Sequence, residues 1–308
     1  MNLVLSAIPS ALTAPVLNGI VTIPEIHIEG IQAQFVDHNS RRMLRQEFDV
    51  AEMSFATYVK AKEEGLPLIG LPVFTGRRFL QPCIAVSARS GIQSLSELAG
   101  KKIGVPQYWM TSSVWHRGFL QEEYGIRPES AAWYTIAQER MESLRFPDDV
   151  RVERLDTDLS GLRSLLEAGE IDAVLSPKPL AMSPNLRSTF PDVSDEQKKY
   201  YMRTGMIPIM HFIVIREALE QQNPGLAAAL CTAFENVKTG AYLRDASGIP
   251  LEMPIHNMTL DQWRQSFDSD PYPYGIERNR RALELFLRYA YDQGLISRRF
   301  VPQELFVS

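Results

Sequence analysis

The chain has 308 residues, 45% hydrophobic and 22% charged, with 32 Lys and Arg against 37 Asp and Glu for a formal charge of -5. That length and apolar content allow a substantial core divided into two domains or lobes, and they exclude intrinsic disorder. The acidic balance, with basic residues scattered into short pairs such as Arg41-Arg42 and Arg298-Arg299, argues against a nucleic-acid partner, and no run reaches membrane-spanning length.

The chain opens MNLVLSAIPSALTAPVLNG, with no Lys or Arg before Arg41, no convincing cleavage site, and Pro9 interrupting the apolar run. We read this stretch as the first strand and not as an export signal, and expect a cytoplasmic protein. Strand-length apolar runs then alternate with amphipathic helical stretches, which predicts an α/β protein with largely parallel sheets. Strands are expected at 3–8, 31–36, 50–53, 68–73, 84–88, 102–105, 132–135, 173–175 and 209–215. The repeating unit is legible in SGLRSLLEAGEIDAVLSP, where Leu162, Leu165 and Leu166 form a helical stripe, Gly169 ends it, and a strand follows Asp172. Later, Leu283, Phe286, Leu287 and Ala290 recur at i, i+3, i+4, i+7 before Gly294.

Two segments read as crossings between lobes: PCIAVSARSGIQSLSELAGKKIGVP leaves one sheet for another, and TGMIPIMHFIVIREAL is a long strand that returns. The expected division is residues 1–85 with 210–308 in a first lobe and 86–209 in a second, with a ligand cleft between the lobes. In such folds helix N-termini beyond the strand ends present free N–H groups to anions. The junction from Pro106 to Thr111 fits that role. Cys83 and Cys231 lie in apolar stretches without metal-ligand neighbours and read as reduced thiols.

Five blocks carry a family resemblance: FDVAEMSFATYV, LPVFTGRRF, IGVPQYWMTSSVWHRGFLQEEYGI, YYMRTGMIPIMHFIVIR and YPYGIERNRRALELFLRYAYDQGL. In this order, from about Phe48 to the C-terminus, they resemble the 4,5-dihydroxyphthalate decarboxylases. The resemblance implies a two-lobed type II periplasmic-binding-protein-like fold, used inside the cell to remove CO2 from an aromatic diacid, with protocatechuate as the product of the namesake reaction. The chain also departs from the family pattern. Leu80 and Gln81 stand where the family has an Arg-His pair, and Gln107-Tyr108-Trp109-Met110-Thr111 stands where it reads Glu-Tyr-Gln-Met-Thr. These departures leave the substrate open between 4,5-dihydroxyphthalate and a close analogue.

Decarboxylation of a hydroxylated benzoate proceeds by protonating the ring carbon that bears the carboxylate, with the para hydroxyl as electron source, so no cofactor is expected. The protein must hold carboxylates and place a proton donor over that carbon. Arg77, in a turn after a strand, is the expected carboxylate clamp, because a guanidinium pairs bidentately with a carboxylate. Thr111 and Ser112 at one helix start and Ser54 at another offer hydroxyls and N–H groups to a second anion, although ordinary helix capping uses the same groups. His211 alternates with Ile209 and Ile213. A histidine so placed is ordinarily a hydrogen-bonded core residue, and the matching family block implies catalysis instead.

Glu52, alternating with Val50 and Ser54, would be a proton donor if burial without a cation raised its pKa, and a structural ion pair otherwise. Tyr108 and Trp109 are candidates to sandwich the substrate ring, Arg117 to share its side of the helix, and Tyr274 to close over it; core packing is the ordinary reading of such aromatics. His27, His38 and His256 have no partner at ligand spacing, and no metal is called for. A homo-oligomer is compatible with the aromatic turn DPYPYG. The alternative to a carboxy-lyase acting on a small aromatic carboxylate is a non-catalytic solute-binding or sensor protein of the same fold.

Overall fold

The computed structural model describes residues 1–243 and 249–307. Its backbone divides into two compact units. Unit 1 comprises Met1–Arg78, Ile209–Glu284 and Phe300–Ser308, and unit 2 comprises Phe79–Pro208 and Leu285–Arg299. Residues 79–85, 209 and 285–299 therefore fall in the unit opposite to the one the sequence reading gives them. The first passage from unit to unit comes between Arg78 and Phe79, before the strand expected to carry it.

Up to Arg78 the chain forms β1 (Asn2–Ala7), α1 (Ala14–Leu17), β2 (His27–Gln32), α2 (Val36–Leu44), β3 (Val50–Ser54), α3 (Phe55–Glu63), β4 (Leu68–Gly70) and β5 (Gly76–Arg77). From Phe79 to Pro208 follow β6 (Ile84–Ser87), β7 (Lys102–Val105), α4 (Thr111–Tyr124), β8 (Ala132–Thr135), β9 (Arg151–Arg154), α5 (Leu159–Ala168), β10 (Ala173–Leu175), β11 (Leu186–Arg187) and α6 (Val193–Thr204). The remainder forms β12 (Ile209–Arg216), α7 (Glu217–Gln222), α8 (Leu226–Tyr242), α9 (Leu260–Phe267) and α10 (Ile276–Asp292).

Unit 1 is built on a sheet of order β2-β1-β3-β12-β4, with β5 also paired to β12. β1 runs parallel to β2 and β3, whereas β12 is antiparallel to β3, β4 and β5. Unit 2 has the order β11-β6-β10-β7-β8-β9, parallel from β10 to β9, with β6 antiparallel to β10 and β11. The expected largely parallel sheets are thus mixed. The reversed strand in each is the first one after the chain changes unit.

Packing explains the displaced and missed strands. The strand expected at 31–36 lies at His27–Gln32, because Phe35 is already the extended N-cap of α2. Gly30 is required there: a Cβ would sit 2.0 Å from the Leu17 carbonyl oxygen at the end of α1. β5 and β11 are two residues long and β9 reads RVER, so none offers an apolar period to detect.

The core of unit 1 gathers Leu3, Leu5, Ile213 and Ile215 from the sheet against Leu226, Leu230 and Phe234 of α8. In unit 2 the expected stripe of α5 buries Leu162 and Leu166 on Ala85 and Val174. Gly169 follows in the left-handed region at φ 78°. Trp115 of α4 packs on Phe286 and Tyr289, and Gly118 lets the Tyr289 ring approach closer than any side chain would allow.

Candidate functional site

Register places the chief chemical pair of unit 1. Across β3 and β12, Glu52 lies opposite Ile213 and Ser54 opposite His211. Residues two apart on a strand share a face, so Glu52 and His211 are diagonal neighbours on one face. His211 Nδ1 lies 3.6 Å from Glu52 Oε1, with the imidazole side chain 29% exposed and the carboxylate side chain 4%. Glu52 also accepts from Thr75 Oγ1 at 2.7 Å and from the Ile8 backbone N–H, just beyond β1, at 2.8 Å. Asn39 of α2 donates to the Ser6 and Glu52 carbonyls and ties the ends of β1 and β3 together.

Burial alone would raise the pKa of Glu52, but the interaction with His211 and the Thr75 and Ile8 donors outweigh it and hold the carboxyl below its ordinary range. Of the two readings the sequence leaves for Glu52, an uncompensated proton donor or a member of an ion pair, this environment matches the second. The carboxylate is an anchored anion on the Nδ1 side of His211.

On the other side of His211 lies Gly76 of β5, its partner in register. A Cβ at Gly76 would come 2.7 Å from His211 Nδ1, so this glycine gives the ring its place. Gly76→Ala is expected to lower turnover by about 10²-fold through displacement of the ring, with the two strands still paired; steady-state kinetics beside circular dichroism checks this.

Arg77, the expected carboxylate clamp, is committed to partners within its own unit. Its Nη2 donates to the Pro273 carbonyl at 2.6 Å and to Asn279 Oδ1, and its guanidinium lies over the Phe74 ring. Burial brings its pKa down to about 10, with Tyr274 and Asp270 partly offsetting. Arg77 is therefore the tie between β5 and the turn before α10. Arg77→Ala should cost about 2–4 kcal/mol of stability, read from urea unfolding, because it leaves a cavity and an unpaired Asn279 Oδ1, the Pro273 carbonyl keeping its bond from Asn279 Nδ2. Tyr274 is likewise a core residue of unit 1, 8% exposed, with Lys238 Nζ 4.4 Å above its ring. Ser54 caps nothing with its side chain; it is buried, and its N–H donates to Ser40 Oγ.

In unit 2 the Pro106–Thr111 junction does hold a carboxylate, but one from the chain itself. Glu139 Oε1 accepts from Tyr108 N at 2.7 Å and Oε2 from Trp109 N at 3.2 Å. Burial raises the pKa of this carboxyl. Tyr108 and Trp109 meet edge to face at 86°, so they form no parallel slot for a ring. Tyr108 is fully buried beneath the Arg117 guanidinium, 3.6 Å from the ring centroid. Arg117 in turn donates to the Tyr108 carbonyl and to Gln293 Oε1, which makes it the pin of this junction.

Met110, not Thr111 or Ser112, is the N-cap of α4, and its side chain makes no capping hydrogen bond. Ser112 is buried with its hydroxyl unpartnered among the described residues, and His116, one turn on, is fully buried with its ring against the Leu80 and Ser112 backbone carbonyls. Gln107, one of the departures, donates to the Gln138 carbonyl. Thr75, Gly76, Glu139 and Gln293 were not singled out from sequence; the first two lie inside LPVFTGRRF, whereas nothing local marks the last two.

Among the described residues no helix is long and apolar enough to cross a membrane, and no three His, Cys, Asp or Glu side chains gather as metal ligands. The chain matches the family model of phosphonate ABC-transporter periplasmic substrate-binding proteins over residues 25–176. Among solved structures it is similar to the periplasmic aliphatic sulphonate binding protein SsuA from Escherichia coli, with a TM-score of 0.57 and 11% identity, covering 100% of this chain and 92% of that one. Two α/β units, each with a mixed sheet, in a chain that leaves the first and returns to it, define a periplasmic-binding-protein-like fold.

Sequence similarity is more specific. The chain is 33% identical over 299 residues, 92% of its length and 90% of the relative's, to a 4,5-dihydroxyphthalate decarboxylase of Comamonas testosteroni. A protein of the same name from Pseudomonas putida is 34% identical over 165 residues, 50% of this chain and 64% of that relative. The chain belongs to the 4,5-dihydroxyphthalate decarboxylase family.

Proposed function

We propose that this protein is a carboxy-lyase that removes CO2 from a hydroxylated aromatic dicarboxylic acid, 4,5-dihydroxyphthalate or a close analogue, without a cofactor. The observation that carries this reading is the anchored Glu52 carboxylate beside the partly exposed His211 imidazole. Simple retention of a solute has no need of such a pair, and proton transfer does. The names of the two relatives supply the substrate class.

In this reading His211, as imidazolium, gives its proton to the ring carbon that bears the carboxylate, while the para hydroxyl supplies electron density. The bond to the carboxylate then breaks, its electron pair restores the aromatic ring, and CO2 departs. One proton is taken up and one CO2 lost, and solvent re-protonates His211. Glu52, held by Thr75 and Ile8, keeps the ring oriented throughout. The test is to incubate the purified protein with carboxyl-labelled 4,5-dihydroxyphthalate and measure released CO2. Release supports the reading; saturable binding without release favours a binding protein of the same fold.

A further inference from the structure

In unit 1, α2 buries Val36, Asn39, Ser40 and Met43, spaced i, i+3, i+4, i+7. That spacing marks the core face of a helix, where such positions are ordinarily apolar. Here the two central ones are polar, 1% and 0% exposed, although neither asparagine nor serine favours a helix interior. Both side chains serve one place. Asn39 Nδ2 donates to the Ser6 carbonyl at 2.8 Å and to the Glu52 carbonyl at 2.9 Å, and Ser40 Oγ accepts from the Ser54 N–H at 3.1 Å.

The sheet register explains why partners are needed there. Pairing of β1 with β3 ends at Ser6 and Ala51. Beyond that level β1 stays with β2 as far as Ala7, and β3 stays with β12 as far as Ser54, which lies opposite His211. The sheet therefore parts between β1 and β3 at Glu52. Residues two apart on a strand turn their backbone groups to the same edge, and at Glu52 and Ser54 that edge has lost β1. A buried carbonyl or N–H left there unpaired would be costly, and Asn39 and Ser40 take the place of the missing strand. With β1 released from β3, the Ile8 N–H reaches Glu52 Oε2 at 2.8 Å, while Oε1 takes the Thr75 hydroxyl and faces His211.

We propose that Asn39 and Ser40 are positioning residues for the Glu52–His211 pair: by fixing the backbone of β3 on both sides of Met53, they set the Glu52 carboxylate against Thr75, Ile8 and the imidazole. That this placement serves turnover rests on the decarboxylase reading; the placement itself rests on the three hydrogen bonds from α2. Neither residue takes part in the proton transfer.

The experiment compares the wild type with Asn39→Leu, Ser40→Ala and Met43→Leu, by kcat and KM on 4,5-dihydroxyphthalate and by carbon-13 NMR titration of the Glu52 carboxyl. Leucine at 39 and alanine at 40 keep an apolar, helix-favouring stripe, so positions that matter for packing alone would accept them. Each should lower kcat about tenfold with KM within about twofold of the wild type. Each should also bring the titration of Glu52 up from below its ordinary range, as the carboxyl loses part of its contact with His211, Thr75 and Ile8 while remaining buried. Met43→Leu alters the same stripe without touching a hydrogen bond and should change neither quantity. Ser40→Ala removes a single oxygen, so its result stands if Asn39→Leu fails to fold. Wild-type kcat and Glu52 titration in the variants overturn the proposal, as does a fall in kcat that Met43→Leu matches or that leaves Glu52 unmoved. If the wild type releases no CO2, the decarboxylase reading falls and the titration decides alone: a shift in Asn39→Leu and Ser40→Ala upholds the placement, and no shift removes it.

Discussion

His211→Asn is expected to lower kcat on a hydroxylated phthalate by about 10²–10⁴-fold while changing KM little. Asparagine is close in size and keeps a hydrogen-bonding group near Glu52, so the strand pairing of β12 with β3 and β5 should survive. What it cannot do is carry a proton to the ring carbon. Glu52→Gln should give a loss of similar kind, because the amide replaces an anion whose place is set by Thr75 and Ile8 and leaves the imidazole without its charged anchor. Since Glu52 is held ionised in the folded protein, it contributes stability that is present above the ordinary carboxyl range and lost as pH falls through its lowered pKa. Glu52→Gln should remove that acid-side loss. Near-normal kcat in both variants would mean that the proton comes from elsewhere.

A second large effect belongs to His116. Its pKa falls from 6.5 to about 4 in the folded chain, first through burial and further through the charge of Arg117, with the Leu80 and Ser112 carbonyls offsetting part. The native ring is neutral where the unfolded ring binds a proton. Stability is therefore full above the unfolded pKa of 6.5 and is lost as pH falls from there to about 4, by about 3 kcal/mol in all. The loss that comes from Glu52 begins lower, beneath 4.5. Melting temperatures recorded from pH 7.5 to 4 should show a fall of several degrees for the wild type between the two His116 values. In His116→Leu that fall should be much reduced. Parallel curves for the two proteins would place a proton on the native ring and contradict its burial as a neutral group.

The sequence made some of this legible and hid the rest for physical reasons. Strands with a dense apolar run, such as Lys102–Val105 and Ala173–Leu175, coincide with expectation because burial on both faces leaves little choice of residue. The polar edge strand Arg151–Arg154 left no such mark. Glu52 and His211 could each be found by alternation on their own strands. Their partnership could not, since it depends on the register between β3 and a strand that arrives only after the whole of unit 2's first segment. Arg77, Tyr108 and Tyr274 show the opposite limit. Residue type announced a cation and two rings, but whether each faces a ligand or its own unit is decided by packing: Arg77 is taken by Pro273 and Asn279, Tyr108 by Arg117 and Trp109, and Tyr274 by Lys238.

The most direct test of the decarboxylase reading is to run the reaction in D2O and follow the ring protons of 4,5-dihydroxyphthalate by NMR. Protonation of the carbon that bears the carboxylate predicts one deuterium at the vacated position for each CO2 released by the wild type, and almost none in the same time with His211→Asn. An unaltered substrate spectrum, under conditions where the acid is bound, would contradict the account.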